Sequence, residues 1–278
     1  MPELPEVETS VQAIQKFKNQ TIESIEIFNP NLRWKVNTQD FQKLHGKKVL
    51  NISRRAKYIM LNFGEFEILI HLGMTGTLRI TDKYSNLYKK HDHIELIFET
   101  EKIIFNDPRR FGYIDLTNED PDEHKFLSFL GPEPLSNSFN ADNLAKKLLN
   151  KEKAIKNALL DHNIISGLGN IYVCEALFRA RINPKSNCSK FVGVSGKPKK
   201  PLITLVSKIN QIIKEAINVG GSTLKDFSNI SGKMGYFQSS FNVYGRDKQN
   251  CKRSSCSGII NKITQSNRST FLCEICQK

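Results

Sequence analysis

The 278-residue sequence has no apolar run that approaches the length of a membrane-crossing helix. Its opening, MPELPEVET, lacks the apolar core of a secretory segment. No internal repeat occurs, which excludes repeat architectures. Acidic side chains are in short supply: 28 Asp and Glu face 41 Lys and Arg, a formal net charge of +13. The resulting pI near 9.4 predicts a polyanionic partner, nucleic acid first, whose binding weakens with salt. Cysteine is also scarce. The six lie at positions 174, 188, 251, 256, 273 and 276, and the last four form two close pairs rather than a dispersed disulfide framework. A reducing cytoplasm is the expected location. The length allows two domains with separate cores.

From Ile22 to about Leu116 the pattern is one of short β-type runs, including 58–63, 66–71, 93–98 and 102–105, broken by Gly, Asn or Asp. A β-sandwich or flattened barrel is expected, with one helix over Val11 to Phe17. Around Gly131-Pro132-Glu133-Pro134 the texture changes to helical spacing, over 144–149, 154–160, 171–181 and 202–219. Residues 189–201, rich in Gly and Lys, read as a mobile surface connection. In Ser166-Gly167-Leu168-Gly169-Asn170, two glycines open a helix and leave backbone N–H groups and the Asn170 amide available to an anion such as phosphate. The same turn also fits a tight helix connection capped by Asn170.

Cys251 and Cys256 enclose four residues, Cys273 and Cys276 enclose two, and sixteen residues lie between the pairs. Four thiolates so spaced suit one tetrahedral, structural Zn²⁺, and the module is too short to bury a core without it. It carries seven Lys/Arg against two Asp/Glu from 246 to 278, which suits phosphate contact.

Pro2, Glu3, Pro5, Glu6 and Glu8 crowd the first nine residues. Alone they read as an extended, solvated tail rather than the start of an amphipathic helix. Removal of Met1, however, makes Pro2 a free secondary amine beside the Glu3 carboxylate. A terminal amine titrates closer to neutrality than lysine and is a competent nucleophile toward sugar carbons.

The order PELPEVE (2–8), RRAKY (54–58), HLGMTG (71–76), KHDH (90–93), NDPRRFG (106–112), LGPEPL (130–135), GLGNIY (167–172), GGSTLKDF (220–227) and the Cys₄ module resembles the bacterial formamidopyrimidine-DNA glycosylase family, Fpg or MutM. The resemblance spans the whole chain. It implies an α+β multidomain fold: a β-sandwich over 2–130, a helix-two-turns-helix domain over 131–240 and a β-hairpin zinc finger over 241–278. Leu4 and the RRF of 109–111 favour the oxidised-purine branch over the endonuclease VIII branch, which acts on oxidised pyrimidines.

The implied activity is excision of 8-oxoguanine and formamidopyrimidines from damaged double-stranded DNA by a monomer, followed by β,δ-elimination at the abasic site. Pro2 is the implied nucleophile, Glu3 moves protons, Glu6 holds the segment, and Lys57 and Arg268 bind phosphate near the lesion. Met74, Arg109 and Phe111 are the implied wedge that fills the gap left by the flipped nucleotide. His91, Lys156 and Asn170 are further implied DNA contacts, and the loop over 222–236 is expected to close over the extruded base. From the bare residues, Met74 and Phe111 read more readily as core, Lys57 as a solvated strand lysine and Arg268 as a surface charge. The turns flanking Met74 and Phe111 favour exposure. His162 and Cys174 depart from the family pattern outside the implied chemistry. A DNA-binding zinc protein that has lost catalysis is the alternative from another class.

Overall fold

The computed structural model describes residues 2–121, 123–222 and 237–278. They divide into two compact units: Met1–His124 with Val219–Gln238, and Lys125–Asn218 with Ser239–Lys278.

In the first unit, helix α1 (Leu4–Ile14) is followed by β1 (Ser24–Ile27), a short α2 (Thr38–Phe41), and strands β2 (Asn51–Arg55), β3 (Tyr58–Asn62), β4 (Glu67–His71), β5 (Thr77–Asp82), β6 (Asp92–Ile97), β7 (Glu101–Asn106) and β8 (Tyr113–Thr117). They form two four-stranded antiparallel sheets, ordered β1-β6-β7-β5 and β2-β3-β4-β8. Alternate residues point inward, as the period of a strand requires. Ile94, Leu96, Ile103 and Phe105 from one sheet join Ile59, Leu61, Ile68 and Ile70 from the other in a single core. Val7, Val11 and Ile14 of α1 enter the same core. The sandwich is thus the expected one.

Two local expectations are corrected. The Pro-Glu opening is neither an extended tail nor outside the helix: α1 begins at Leu4, and Pro2 through Val7 are buried. Glu3 and Glu6 form a reciprocal capping box, with the Glu3 N–H donating to Glu6 Oε2 at 2.9 Å. Pro5 falls in the first turn, where a missing N–H costs nothing. The expected helix over Val11 to Phe17 is the second half of α1 plus a 3₁₀ turn, Gln15–Phe17.

In the second unit, α3 (Ala141–Leu148), α4 (Ile155–Leu159), α5 (Asn170–Arg179) and α6 (Lys200–Asn218) precede the hairpin β9 (Ile260–Gln265) and β10 (Arg268–Cys273). Residues 189–201, expected as a surface connection, contain a small hairpin. Val192 bridges Pro198, Gly193 N donates to Lys197 O at 2.8 Å, and Phe191 and Val192 are buried. Two apolar side chains anchor this small hairpin, and Gly196 at φ +75° permits its turn. Among the described residues no helix is long and apolar enough to cross a membrane.

Candidate functional site

The N-terminus of α1 is where the implied chemistry gathers. Glu6 Oε2 holds the Glu3 amide, while Oε1 accepts both the amide and the hydroxyl of Ser222 at 2.8 Å each. One buried carboxylate therefore joins the Pro2-Glu3 segment to Gly221-Ser222. Gly221 sits at φ +77°, a backbone that favours glycine, and a Cβ there would crowd Glu6 Oε1 at 3.0 Å. Of the loop expected over 222–236, only Ser222 belongs to the described residues.

Lys57 sits in the two-residue turn between β2 and β3, next to Ala56 at φ +53°. That left-handed backbone is unusual for alanine. Arg54 clamps it: Nη1 donates to Ala56 O at 2.9 Å, while Nε pairs with Glu8 of α1 at 2.8 Å. Lys57 is only 5% exposed, so it is no solvated strand lysine.

The residues of the implied wedge occupy two loops. Met74 follows β4 and is 38% exposed, and Phe111 follows β7 at 41%, with the Arg109 guanidinium 4.6 Å from its ring centroid. The bare-residue reading of Met74 and Phe111 as core is thus set aside. Asp107, fully buried, binds the two loops together. Its Oδ1 accepts from Thr75 Oγ1 at 2.5 Å and Arg109 N at 3.3 Å, and its Oδ2 accepts from Gly112 N at 2.8 Å. Gly73 lies so close that an added Cβ would stand 2.3 Å from Gly112 N. His91 (φ +78°) accepts the Asp107 amide on its carbonyl at 3.1 Å, so it joins the same rim.

The second unit presents Arg268, exposed and directly after the Ser266-Asn267 turn of the β9–β10 hairpin. Both turn residues have positive φ, 47° and 59°, as a two-residue hairpin of type I′ requires. Lys156 departs from the implied phosphate contact: it is wholly enclosed, its Nζ donating to Thr270 Oγ1 at 2.7 Å and Ser269 O at 3.2 Å. Asn170 Nδ2 donates to the same Ser269 carbonyl at 2.8 Å. Asn170 is not the cap of α5. Gly169 takes that position, and Asn170 is the first helical residue. Asn157 Nδ2 adds a bond to Ser266 Oγ at 2.9 Å, so the hairpin tip is held on both sides of Arg268.

The four paired cysteines meet. Their sulfurs lie within 4.8 Å of one another, with Cys251–Cys276 at 3.7 Å and Cys256–Cys273 at 3.6 Å. A tetrahedral Zn²⁺ with Zn–S of about 2.3 Å has edges of about 3.8 Å, so the set fits that ion. Gly258 leaves space for the cage, since a Cβ there would stand 2.7 Å from Cys273 Sγ, and its N–H donates to Cys256 Sγ at 3.3 Å. The Cys276 thiol beside Cys256 lowers the latter to about 7, whereas burial pushes Cys276 up to about 12. Cys174 is a packed thiol in the small core beneath the cage.

Sequence reasoning missed several positioning groups. Asp107 and Thr75 lay inside quoted motifs, but their mutual bond spans 32 residues. Glu175, fully buried, accepts the amides of Asn242, Val243 and Tyr244 at 2.8–3.0 Å, fixing the entry to the finger. An acid in an apolar helix was its available signal.

The family model for the formamidopyrimidine-DNA glycosylase N-terminal domain matches residues 1–114, and that for the H2TH domain of the same enzymes matches 130–228. The formamidopyrimidine-DNA glycosylase of Ruegeria sp. (strain TM1040) is 41% identical over 289 aligned residues that cover both chains entirely. That of Aliivibrio fischeri is 43% identical, covering 100% of this chain and 98% of the relative. In fold, the chain is similar to Lactococcus lactis Fpg solved with an abasic-site DNA (TM-score 0.88, 33% identity) and with an N7-benzyl-Fapy-dG DNA (TM-score 0.88, 34% identity), each match covering both chains completely. Sequence and fold agree from end to end, and the chain belongs to the formamidopyrimidine-DNA glycosylase family.

Proposed function

We propose that this DNA repair glycosylase excises oxidised purines, 8-oxoguanine and formamidopyrimidines, from duplex DNA through a Pro2 Schiff base and then cleaves the abasic strand. The observation that carries this reading is the Glu6 carboxylate, which holds Glu3 and Ser222 at once and so fixes the segment bearing the nucleophile.

In the mature chain, with Met1 removed, the Pro2 nitrogen attacks C1′ and the N-glycosidic bond breaks, its electrons leaving with the base. Glu3 protonates O4′ as the sugar ring opens, giving an iminium ion on Pro2. Loss of a C2′ proton expels the 3′ phosphate, and a second elimination expels the 5′ phosphate, leaving a one-nucleotide gap. Lys57 binds phosphate beside this centre. Chemistry at C1′ requires the nucleotide to leave the stack, which costs a few kcal/mol. Met74 and Phe111 fill the vacancy and Arg109 bonds the opposite base, cytosine.

In the helical and finger regions, over 131–240 and 241–278, Asn170 and Arg268 serve the phosphates flanking the lesion. Lys156 acts at one remove, by holding the strand that bears Arg268. Cys251, Cys256, Cys273 and Cys276 would hold one structural Zn²⁺, which supplies cross-linking of the finger rather than reaction chemistry. The complexes of Lactococcus lactis Fpg with abasic-site and N7-benzyl-Fapy-dG DNA support damaged DNA as the partner.

Borohydride treatment during reaction with an 8-oxoguanine:cytosine duplex tests the chemistry. A covalent adduct mapped by peptide mass spectrometry to Pro2 is expected. Binding without any adduct, from protein lacking Met1, would leave only the DNA-binding alternative or another lesion.

A further inference from the structure

The C-terminal end of α5 opens onto a cleft of about 450 Å³. That volume lies within the range of small-molecule sites. Four cations line it: Arg179 from α5, Lys208 from α6, and Lys252 and Arg253 from the knuckle between the first two paired cysteines. Among the described residues the lining holds no aspartate or glutamate.

Hydrogen bonds fix these cations and leave donors over. Lys208 Nζ donates to Gln211 Oε1 at 3.0 Å, Gln211 Nε2 to Glu215 Oε1 at 2.8 Å, and Arg179 Nη1 to Glu215 Oε2 at 2.6 Å. Lys252 Nζ reaches the Ser239 carbonyl at 3.3 Å. An ammonium has three N–H donors, so each lysine keeps donors for a further acceptor. The Arg253 guanidinium lies 4.5 Å from the Phe178 ring centroid, and its Nη2 donates to the Phe178 carbonyl at 2.7 Å. Its Nε is buried and has no hydrogen-bond partner among the described residues.

Capping of the α5 carbonyl end accounts for part of this charge. Arg253 meets that end, and Arg179 pairs with Glu215. Lys208 and Lys252 remain. They come from another helix and from the finger, and their bonds go to an amide and a carbonyl rather than to a carboxylate. Glu215 and the buried Glu175, which binds Asn242, set two acids against four cations. The α5 end adds about half a negative charge, so the cleft stays positive. An orphaned buried donor and converging positive charge both favour a bound anion. The full length of α5, about 15 Å at 1.5 Å per residue, separates the cleft from Asn170. It is therefore no part of the phosphate contact assigned to that residue.

We propose that this cleft binds a phosphorylated small molecule, its phosphate held by Lys208, Lys252 and Arg253. A phosphomonoester carries about 1.5 to 2 negative charges at pH 7, which matches the two lysines that no carboxylate answers. Arginine adds a forked donor suited to phosphate oxygens. Because Arg253 lies between Cys251 and Cys256, the bound anion also ties the finger to α5 and α6.

The test uses the full-length, zinc-loaded protein already bound to a tetrahydrofuran:cytosine duplex, titrated calorimetrically with inorganic pyrophosphate at fixed salt. One-to-one binding is expected, weakened at least about tenfold in Lys208→Gln/Lys252→Gln through lost charge-assisted bonds. Lys197→Gln/Lys199→Gln removes the same charge from exposed residues outside the cleft and should bind as wild type. Pyrophosphate should also raise the melting temperature of wild type and of this control, and leave that of the cleft variant in place. That shift is read within each protein, so it survives any change in basal stability. Absence of saturable binding, or equal binding by the two lysine variants, would overturn the proposal. So would a loss of duplex affinity in Lys208→Gln/Lys252→Gln, measured without pyrophosphate, because the cleft would then belong to the DNA surface.

Discussion

Glu6 grips Ser222 through two hydrogen bonds on a single carboxylate oxygen, across 216 residues of sequence. The other oxygen caps the segment that carries Pro2 and Glu3. Glu6→Ala leaves three buried donors without this acceptor, each at a cost of about 1–3 kcal/mol. Excision of 8-oxoguanine should fall by at least about a hundredfold, while affinity for undamaged DNA, set by the basic surface, should change little. Glu6→Gln retains one acceptor oxygen and should lie between. Single-turnover excision set against non-specific binding checks both variants, and equal losses in the two would mean that Glu6 serves only stability.

Asp107 makes a second prediction. Its two oxygens serve three donors on two loops, a load that an amide with one oxygen cannot carry. Asp107→Asn should loosen the loops bearing Met74, Arg109 and Phe111 and weaken binding to a tetrahydrofuran:cytosine duplex by about tenfold, matching one lost bond of about 1.4 kcal/mol. Competition against undamaged duplex is the measurement. Retained lesion preference would show that the two loops need no such bond.

The sandwich, the four helices and the cysteine cage were legible because each rests on local pattern: alternation, helical spacing, or ligand pairs at fixed intervals. The Pro-Glu helix start was misread because its cap uses Glu at both ends of the box, where Ser or Thr is the familiar first member. Lys156 was misread because neighbouring residues give no sign that its ammonium is enclosed. Its acceptors, Ser269 and Thr270, lie 113 and 114 residues onward. Asp107 and Glu175 escaped notice for the same reason, since long-range hydrogen bonds leave no periodicity in the chain.

The cage predicts a pH-dependent metal. Zinc binding must displace protons from the thiols, so affinity should weaken as the solution is acidified. Chelation, or Cys273→Ser, should release the ion, unfold the β9–β10 hairpin and reduce DNA binding more than it affects the sandwich. Metal analysis paired with the hydrogen exchange of residues 260–273 checks this. Full DNA affinity after zinc loss would contradict the role given to the finger.

The enclosed ammonium of Lys156 allows stability and positioning to be separated. Thr270→Val keeps shape but removes one acceptor of a charged donor, at about 1.5–3 kcal/mol. Lys156→Met in the same background removes the charge and leaves an apolar side chain, which commonly restores the stability lost when a buried charge loses a partner. The double variant should therefore melt near wild type. It still lacks the bond to Ser269 O, next to Arg268, so its affinity for lesion duplex should stay about tenfold down, and a further Arg268→Ala should cost less than it does in wild type. Recovery of affinity together with melting temperature would show that Lys156 merely stabilises the hairpin; persistent loss, coupled to Arg268, is the signature of a side chain that aims the phosphate clamp.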